Sequence, residues 1–402
     1  MNKKAREISY TILRKWQKKK NIIDKDFKNL SEKDTCFIKE VIFGTIRSYL
    51  SLTSIYREKI NKRPTYLEPS ERLIFYIAFY QRYFMSKVPI YAIVNESVNL
   101  AKKYARPFLV SFFNAALRKV INKEIDLPED NLSIFYSYPK YLIDLLLKQY
   151  DLSTVKRILS TQNHFFLPMI RIRDEKEKAK GLLIYKGKSK VYQLEKDQGL
   201  NEYLNVASCY VQNVTPVFLI EKLSQNFQPK MMLDLCSSPG GKLILAHDIF
   251  PNAKIYANDI SRKKIDLLRS NLKKYAIQAN LSISQGQSYK SQENFDLIIL
   301  DVPCSNSGVL HKRAEARWRI TEKRLEQLNE LQFQLIKNAY ALLENGGQIW
   351  YMTCSILEDE NEKMIERAAK EFHLEIVKTE KIIPNMQGWD GGFACSLRKK
   401  EN

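Results

Sequence analysis

The sequence predicts an all-α domain followed by a doubly wound α/β domain, and three observations carry that prediction. Residues 1–125 show amphipathic helical spacing with almost no two-residue alternation. Beyond about residue 230, apolar strand-like runs alternate with helical stretches. Between the two lies a composition change, "DLPEDNLSIFYSYPK", bearing Pro128 and Pro139. The boundaries drawn from this reading are 1–125, a connecting region 126–205, and 206–402. A chain of 402 residues with 45% hydrophobic and 27% charged residues has an ordinary globular balance and room for two or three domains.

The first stretch, "MNKKAREISYTILRKW", sets Ile8, Ile12, Leu13 and Trp16 on one helix face and lacks the unbroken apolar run of a signal peptide. Helices then continue, broken by "NKRPTYLEPSE" and Pro89, and the aromatics of "FYIAFYQRY" from Phe75 to Tyr83 read as core. The connecting region is mixed and includes a charge-dense turn, "RIRDEKEKAKG". Strands follow at "MMLDL", "KIYA", "DLIIL" and "GQIWYMT". Helices fall between them, from "GKLILAH", "SRKKIDLLRSNLKKY" and "EKRLEQLNELQFQLIKNAYALL". Such βαβ units imply a parallel, Rossmann-like sheet whose ligands bind at the carboxyl ends of the strands.

Composition excludes some functions and favours others. No run of roughly 18 apolar residues occurs, so no membrane span is expected. The cysteines Cys36, Cys209, Cys236, Cys304, Cys354 and Cys395 form no CxxC pair and no zinc-ligand spacing. Free thiols, no metal and a cytoplasmic location are therefore expected. The net charge of +20 is concentrated: residues 1–125 hold 26 Lys and Arg against 11 Asp and Glu. A basic domain of that kind suits a polyanion, whose phosphate contacts release counterions.

Two loops suit a nucleoside-containing cofactor. In "DLCSSPGGK", residues 234–242, Gly240 and Gly241 allow close backbone approach and the following helix offers its N-terminal amides. Eighteen residues past Gly241, Asp259 in "YANDIS" can accept hydrogen bonds from ribose hydroxyls. Two further loops carry thiols where buried strands end: "DVPCSNSG" with Asp301 and Cys304, and "IWYMTCS" with Cys354. Taken singly, each cysteine reads better as a small buried hydrophobe.

Together, "DLCSSPGGK", "DVPCSNSG" and "TCS" resemble the signature loops of the RNA cytosine-5 methyltransferases, which use S-adenosylmethionine. "FIKEVIFGTIRSY", "VPIYAIVNESVNLAKKYA" and "SFFNAALRK" resemble the NusB-like RNA-binding domain carried by one branch of that family, which acts on bacterial 16S ribosomal RNA. The resemblance implies a NusB-like bundle over 1–125, a methyltransferase domain over 206–402, 16S ribosomal RNA as partner, and a monomer. It places cofactor binding on Cys236, Ser237, Ser238, Pro239, Gly240, Gly241, Lys242, Asp259, Gln287 and Asp301. It gives Cys354 the role of nucleophile and Cys304 that of product release, with Asp301 near N3 of the base. The residues alone do not rank the two thiols.

The sequence also departs from the family. Gln287 stands where the family has an acid, Ser237 and Ser238 replace small alanines, and Asn306 replaces glycine or alanine. In "VLHKRAEARW", His311 and Lys312 replace arginines, and lysine is a point charge without arginine's bidentate fork. Two other readings stay open: an RNA-binding module whose catalytic half has decayed, and an enzyme acting on an exocyclic amine or a protein, which needs no thiol.

Overall fold

The computed structural model describes residues 4–20, 22, 27, 32–60, 67–173, 180–195, 200–204 and 206–400. The expected breaks at "NKRPTYLEPSE" and "RIRDEKEKAKG" lie partly outside them. The chain forms two compact units, Met1–Asn163 with Leu310–Thr321, and His164–Val309 with Glu322–Asn402. Residues 126–205, expected as one connecting region, are thus divided: 126–163 pack with the N-terminal helices and 164–205 with the α/β part.

The first unit is helical, as expected. It comprises α1 (Lys4–Lys19), α2 (Glu32–Arg47), α3 (Tyr49–Ile60), α4 (Pro69–Tyr83), α5 (Ile90–Tyr104), α6 (Val110–Val120), α7 (Leu132–Phe135), α8 (Lys140–Gln149) and α9 (Leu152–Thr161). Helix α4 starts on a capping box between Glu68 and Glu71, with Pro69 in the first turn, where its missing N–H costs nothing. Trp16, Phe75, Phe79 and Phe113 are fully buried, so the aromatic run is core.

Residues 310–321 complete this unit from far along the chain. Ala314 and Trp318 join the helical core, and the Trp318 ring lies 6.0 Å from Trp16 and 5.5 Å from Tyr49. Arg317 is fully buried. Its Nη1 donates to the carbonyls of Arg47 and Ser137 and to Asn163 Oδ1, and its Nη2 donates to the Tyr138 hydroxyl. Burial lowers its pKa to about 10, because only neutral groups accept its hydrogen bonds. Within "VLHKRAEARW", where His311 and Lys312 stand in place of arginines, His311 and the run Ala314–Arg317 are packing residues, while Lys312 is exposed.

The second unit holds two sheets. A four-stranded antiparallel sheet, in the order β2-β3-β1-β4, is built from β1 (Met169–Ile172), β2 (Leu182–Lys186), β3 (Lys190–Gln193) and β4 (Cys209–Val211). A short helix, α10 (Asn201–Leu204), precedes β4, and α11 (Val214–Leu223) follows it. Next come β5 (Met231–Asp234), α12 (Gly241–Ile249), β6 (Lys254–Asp259), α13 (Arg262–Lys274), β7 (Asn280–Ile283), β8 (Phe295–Asp301), α14 (Glu322–Leu342), β9 (Leu343–Thr353), α15 (Glu362–Glu371), β10 (Leu374–Ile382) and β11 (Gly392–Lys399).

The larger sheet runs β10-β11-β9-β8-β5-β6-β7, parallel from β9 to β7 and antiparallel at the β11 and β10 edge. Its central strands are apolar because helices cover both faces: Leu233, Ile298, Leu300, Trp350 and Tyr351 are fully buried. The strand order reverses between β5 and β8, which opens a crevice at their carboxyl ends. Asp301 pairs in register with Met352, so the loops after β8 and β9 emerge side by side.

Candidate active site

The loop after β5 turns sharply through Gly240, whose φ of +104° is left-handed backbone that favours glycine. A Cβ there would also lie 2.6 Å from Leu268 Cδ1. This turn starts α12 at Gly241. Asp234, fully enclosed at the end of β5, accepts from the Cys236 amide at 3.2 Å; burial, reinforced by Asp301, pushes its pKa up to about 7. Asp259, at the end of β6, is 2% exposed. It accepts from the amides of Ser238 at 2.9 Å and Ile260 at 2.7 Å, and it pairs with Lys264 at 3.0 Å.

A cavity of about 450 Å³ opens over these strand ends, within the size range of small-molecule sites. Cys236, Ser238, Asp259, Gln287, Asp301, Cys304 and Cys354 all line it. Ser237, Pro239, Gly240, Gly241 and Lys242, also expected in cofactor binding, shape the turn and the helix start and are not among its lining residues. Gln287 donates through Nε2 to Gln285 Oε1 at 3.0 Å. Lys242 Nζ lies 2.6 Å from Asp301 Oδ2. Burial works against the Lys242 charge, but Asp301 outweighs it and the pKa is raised.

The two thiols meet. Cys304 Sγ and Cys354 Sγ are 3.1 Å apart, and both are partly buried. The Cys304 pKa is raised well above the ordinary thiol range by its hydrogen bond to Cys354 and by burial, so Cys304 holds its proton. The Cys354 thiol donates to Asn306 Oδ1 at 3.3 Å, while Asn306 Nδ2 donates to the Cys304 carbonyl at 3.0 Å. Asn306 adopts a φ of +62°, which asparagine tolerates better than most residues. Sequence reasoning missed this role and recorded Asn306 only as a departure from the family pattern. An Asn inside the turn-forming run "SNSG" was the available signal.

A second missed feature clamps the two thiol loops together. Buried Glu360 accepts from the Ser305 amide at 2.8 Å and from Gln332 Nε2 at 3.2 Å. The Ser355 hydroxyl contacts those of Ser305 at 3.3 Å and Ser307 at 2.8 Å, and the Gly308 amide donates to the Cys354 carbonyl at 2.9 Å.

Comparison with known proteins matches residues 223–397 to the family described as "16S rRNA methyltransferase RsmB/F", and residues 3–122 to the NusB family. Residues 223–397 are similar to the RsmB/F methyltransferases. Among RsmB/F relatives, it is similar to "Ribosomal RNA small subunit methyltransferase B" of Photorhabdus laumondii, with 26% identity over 97% of this chain and 96% of that one. The protein of the same name from Yersinia pseudotuberculosis is 25% identical over 93% and 92% of the two chains. Two solved structures share the fold. "Crystal Structure of PH0851" has a TM-score of 0.77 at 20% identity, covering 99% of each chain. A methyltransferase homologue from Pyrococcus horikoshii has 0.52 at 18% identity, covering 65% of this chain and 99% of that one.

The methyl donor of an RsmB/F enzyme is S-adenosylmethionine. The cavity suits it: Leu235, Ile260, Val302 and Leu335 give apolar walls, Asp259 and Asp301 give carboxylates for hydroxyls and a cation, and Gly240 keeps the turn free of a Cβ. Among the described residues, no helix is long and apolar enough to cross a membrane.

Proposed function

We propose that this chain methylates C5 of a cytosine in 16S ribosomal RNA through a covalent cysteine adduct. The observation that carries the reading is the 3.1 Å approach of Cys304 and Cys354 in the cavity that also holds Asp259 and Asp301. Methylation of an exocyclic amine needs no thiol at all, and a decayed binding module has no use for two.

Cytosine C5 is a weak nucleophile, and thiolate addition at C6 converts the ring to an enamine-like species. Cys354 gives its thiol proton to solvent and forms the S–C6 bond, the C5=C6 electrons move into the ring, and the charge that develops at N3 is offset by the Lys242 ammonium beside Asp301. Lys242 keeps its charge, because Asp301 raises its pKa. Bound S-adenosylmethionine supplies an electrophilic methyl group to C5. The C5 proton then passes to solvent water, C5=C6 re-forms, and the S–C6 bond breaks with its electron pair returning to Cys354. Cys304, kept as a thiol, stands beside the departing sulfur and stabilises it. The cofactor residues in this reading are Asp259 for the ribose, Gln287 as acceptor for the adenine amine, Cys236–Lys242 around the methionine and adenosine, and Asp301. The target base is turned out of its stack to enter the cavity.

Labelled methyl transfer to 16S ribosomal RNA, followed by base analysis, tests the product: 5-methylcytosine is expected. Denaturing gels test the route. Cys354→Ala is expected to be inactive and to leave RNA free, whereas Cys304→Ala is expected to accumulate a cofactor-dependent adduct that survives denaturant. An adduct with Cys354→Ala and none with Cys304→Ala reverses the roles; full activity in both variants ends the covalent reading.

A further inference from the structure

We infer that the cavity between the β2–β3 turn and the end of α12 binds the phosphodiester backbone of a polynucleotide, which on the function proposed above is the substrate RNA. The cavity measures about 380 Å³ and shares no lining residue with the thiol cavity. Its charged lining is Arg171, Arg173, Lys186, Lys188, Lys190 and Asp248, five cations facing one carboxylate. That carboxylate is already engaged: Arg171 Nη1 and Arg173 Nη2 each donate to it at 2.6 Å, and Arg173 Nε donates at 2.9 Å. Arg171 is 1% exposed and its Nε donates to Gln212, yet its Nη2 has no hydrogen-bond partner. A buried guanidinium N–H left unmatched carries a desolvation penalty that an arriving anion removes.

The lysines point the same way. The β2–β3 register sets Lys186 directly opposite Lys190, a like-charge pair that weakens a hairpin. Among the described residues, neither has a carboxylate within ion-pair distance. Lys188 lies in the turn between them, and buried Glu221 fixes that turn by accepting the amides of Lys188 at 2.9 Å and Ser189 at 2.7 Å. Three lysines are therefore mounted on an ordered turn around a concavity, an arrangement that folding alone disfavours. One free phosphate would leave most of this surplus charge unmatched. A strand brings successive phosphates and matches it.

The test uses the full chain with Lys186, Lys188 and Lys190 all changed to serine, beside a variant with all three changed to arginine. Binding to a 16S ribosomal RNA fragment is measured against salt, and S-adenosylmethionine binding is measured by calorimetry as a control on folding. The serine variant is expected to bind RNA about tenfold or more weakly, with the slope of log K against log[salt] reduced by roughly two. Cofactor binding should be unchanged, and the arginine variant should restore the slope. An unchanged slope and affinity in the serine variant overturns the site, whether or not the wild type methylates RNA. Weakened binding of inorganic phosphate with RNA affinity intact also overturns it, in favour of a free anion. A wild type that binds RNA with the lysine-dependent slope but transfers no methyl group counts against the proposed function alone and leaves the site standing.

Discussion

Asn306 holds one thiol with its side-chain oxygen and the loop of the other with its amide, in a left-handed backbone conformation. Asn306→Gly keeps that backbone and deletes both bonds. Losing about 1 kcal/mol of orientation should lower kcat roughly fivefold with little change in the KM for RNA. Asn306→Ala should show the same kinetic loss and melt below the glycine variant, because a Cβ in this conformation costs roughly 1 to 2 kcal/mol that glycine avoids. Full kcat in the glycine variant would remove Asn306 from the positioning of Cys354. At the cofactor end, Asp259→Ala should weaken S-adenosylmethionine by roughly 1 to 3 kcal/mol in calorimetry, whereas Gln287→Asp should bind it equally or more tightly. Residue identity made the thiols and acids legible in the sequence, since cysteine and aspartate at strand ends are few. The bonds that aim them were not legible, because they join residues some 50 positions apart whose pairing exists only once β8 and β9 lie side by side.

At the scale of elements, β5 ends on a carboxyl group that the fold prefers neutral. Asp234 has an ordinary pKa of 3.8, raised to about 7 by burial and by Asp301. A raised carboxyl stabilises the fold fully below its unfolded pKa, and that contribution is lost as pH climbs through the folded value. Wild-type melting temperature should therefore fall relative to Asp234→Asn as pH rises from about 4 to about 7, with the gap constant above. The difference at pH 8 should reach a few kcal/mol, on the scale of about 1.4 kcal/mol per pKa unit. A pH-independent gap would mean that Asp234 ionises freely.

The same region shows what pattern alone reveals. The strands "MMLDL", "KIYA", "DLIIL" and "GQIWYMT" and the helices between them stand where periodicity put them, because continuous apolar runs covered by amphipathic helices leave a strong signal. The four-stranded sheet of β1 to β4 left none. Its strands span three to five residues, and β2 is exposed along much of its length, so no two-residue alternation develops.

At the scale of the molecule, the first unit is closed by a piece of distant sequence. The helical content of residues 1–125 was plain from spacing, but the membership of Leu310–Thr321 was not, since nothing local marks a loop as belonging to another core. Arg317→Met should test this closure. It removes four hydrogen bonds from a fully buried guanidinium and leaves two carbonyls without that donor. Thermal unfolding of the helical unit should come earlier by roughly 3 kcal/mol, while S-adenosylmethionine binding in the other unit stays at the wild-type value. Loss of cofactor binding without loss of stability would mean that Arg317 acts on the second unit instead. For the same reason, deleting residues 1–125 would strip Ala314 and Trp318 of their packing partners and would not be a clean removal of a domain.

This split unit also dictates an order of events during synthesis. The N-terminal helices leave the ribosome first, yet the Trp318 ring that packs against Trp16 and Tyr49 is made only after residues 164–309 have been polymerised. At ordinary elongation rates that is a wait of roughly 7 to 30 s. Throughout it Trp16 and Tyr49 lack the ring that packs on them, and the bundle matures only when the chain returns to it. A fragment of residues 1–163 should therefore melt at a higher temperature when a synthetic peptide of residues 310–321 is added in excess, and a peptide carrying Trp318→Ala should give little of that rise.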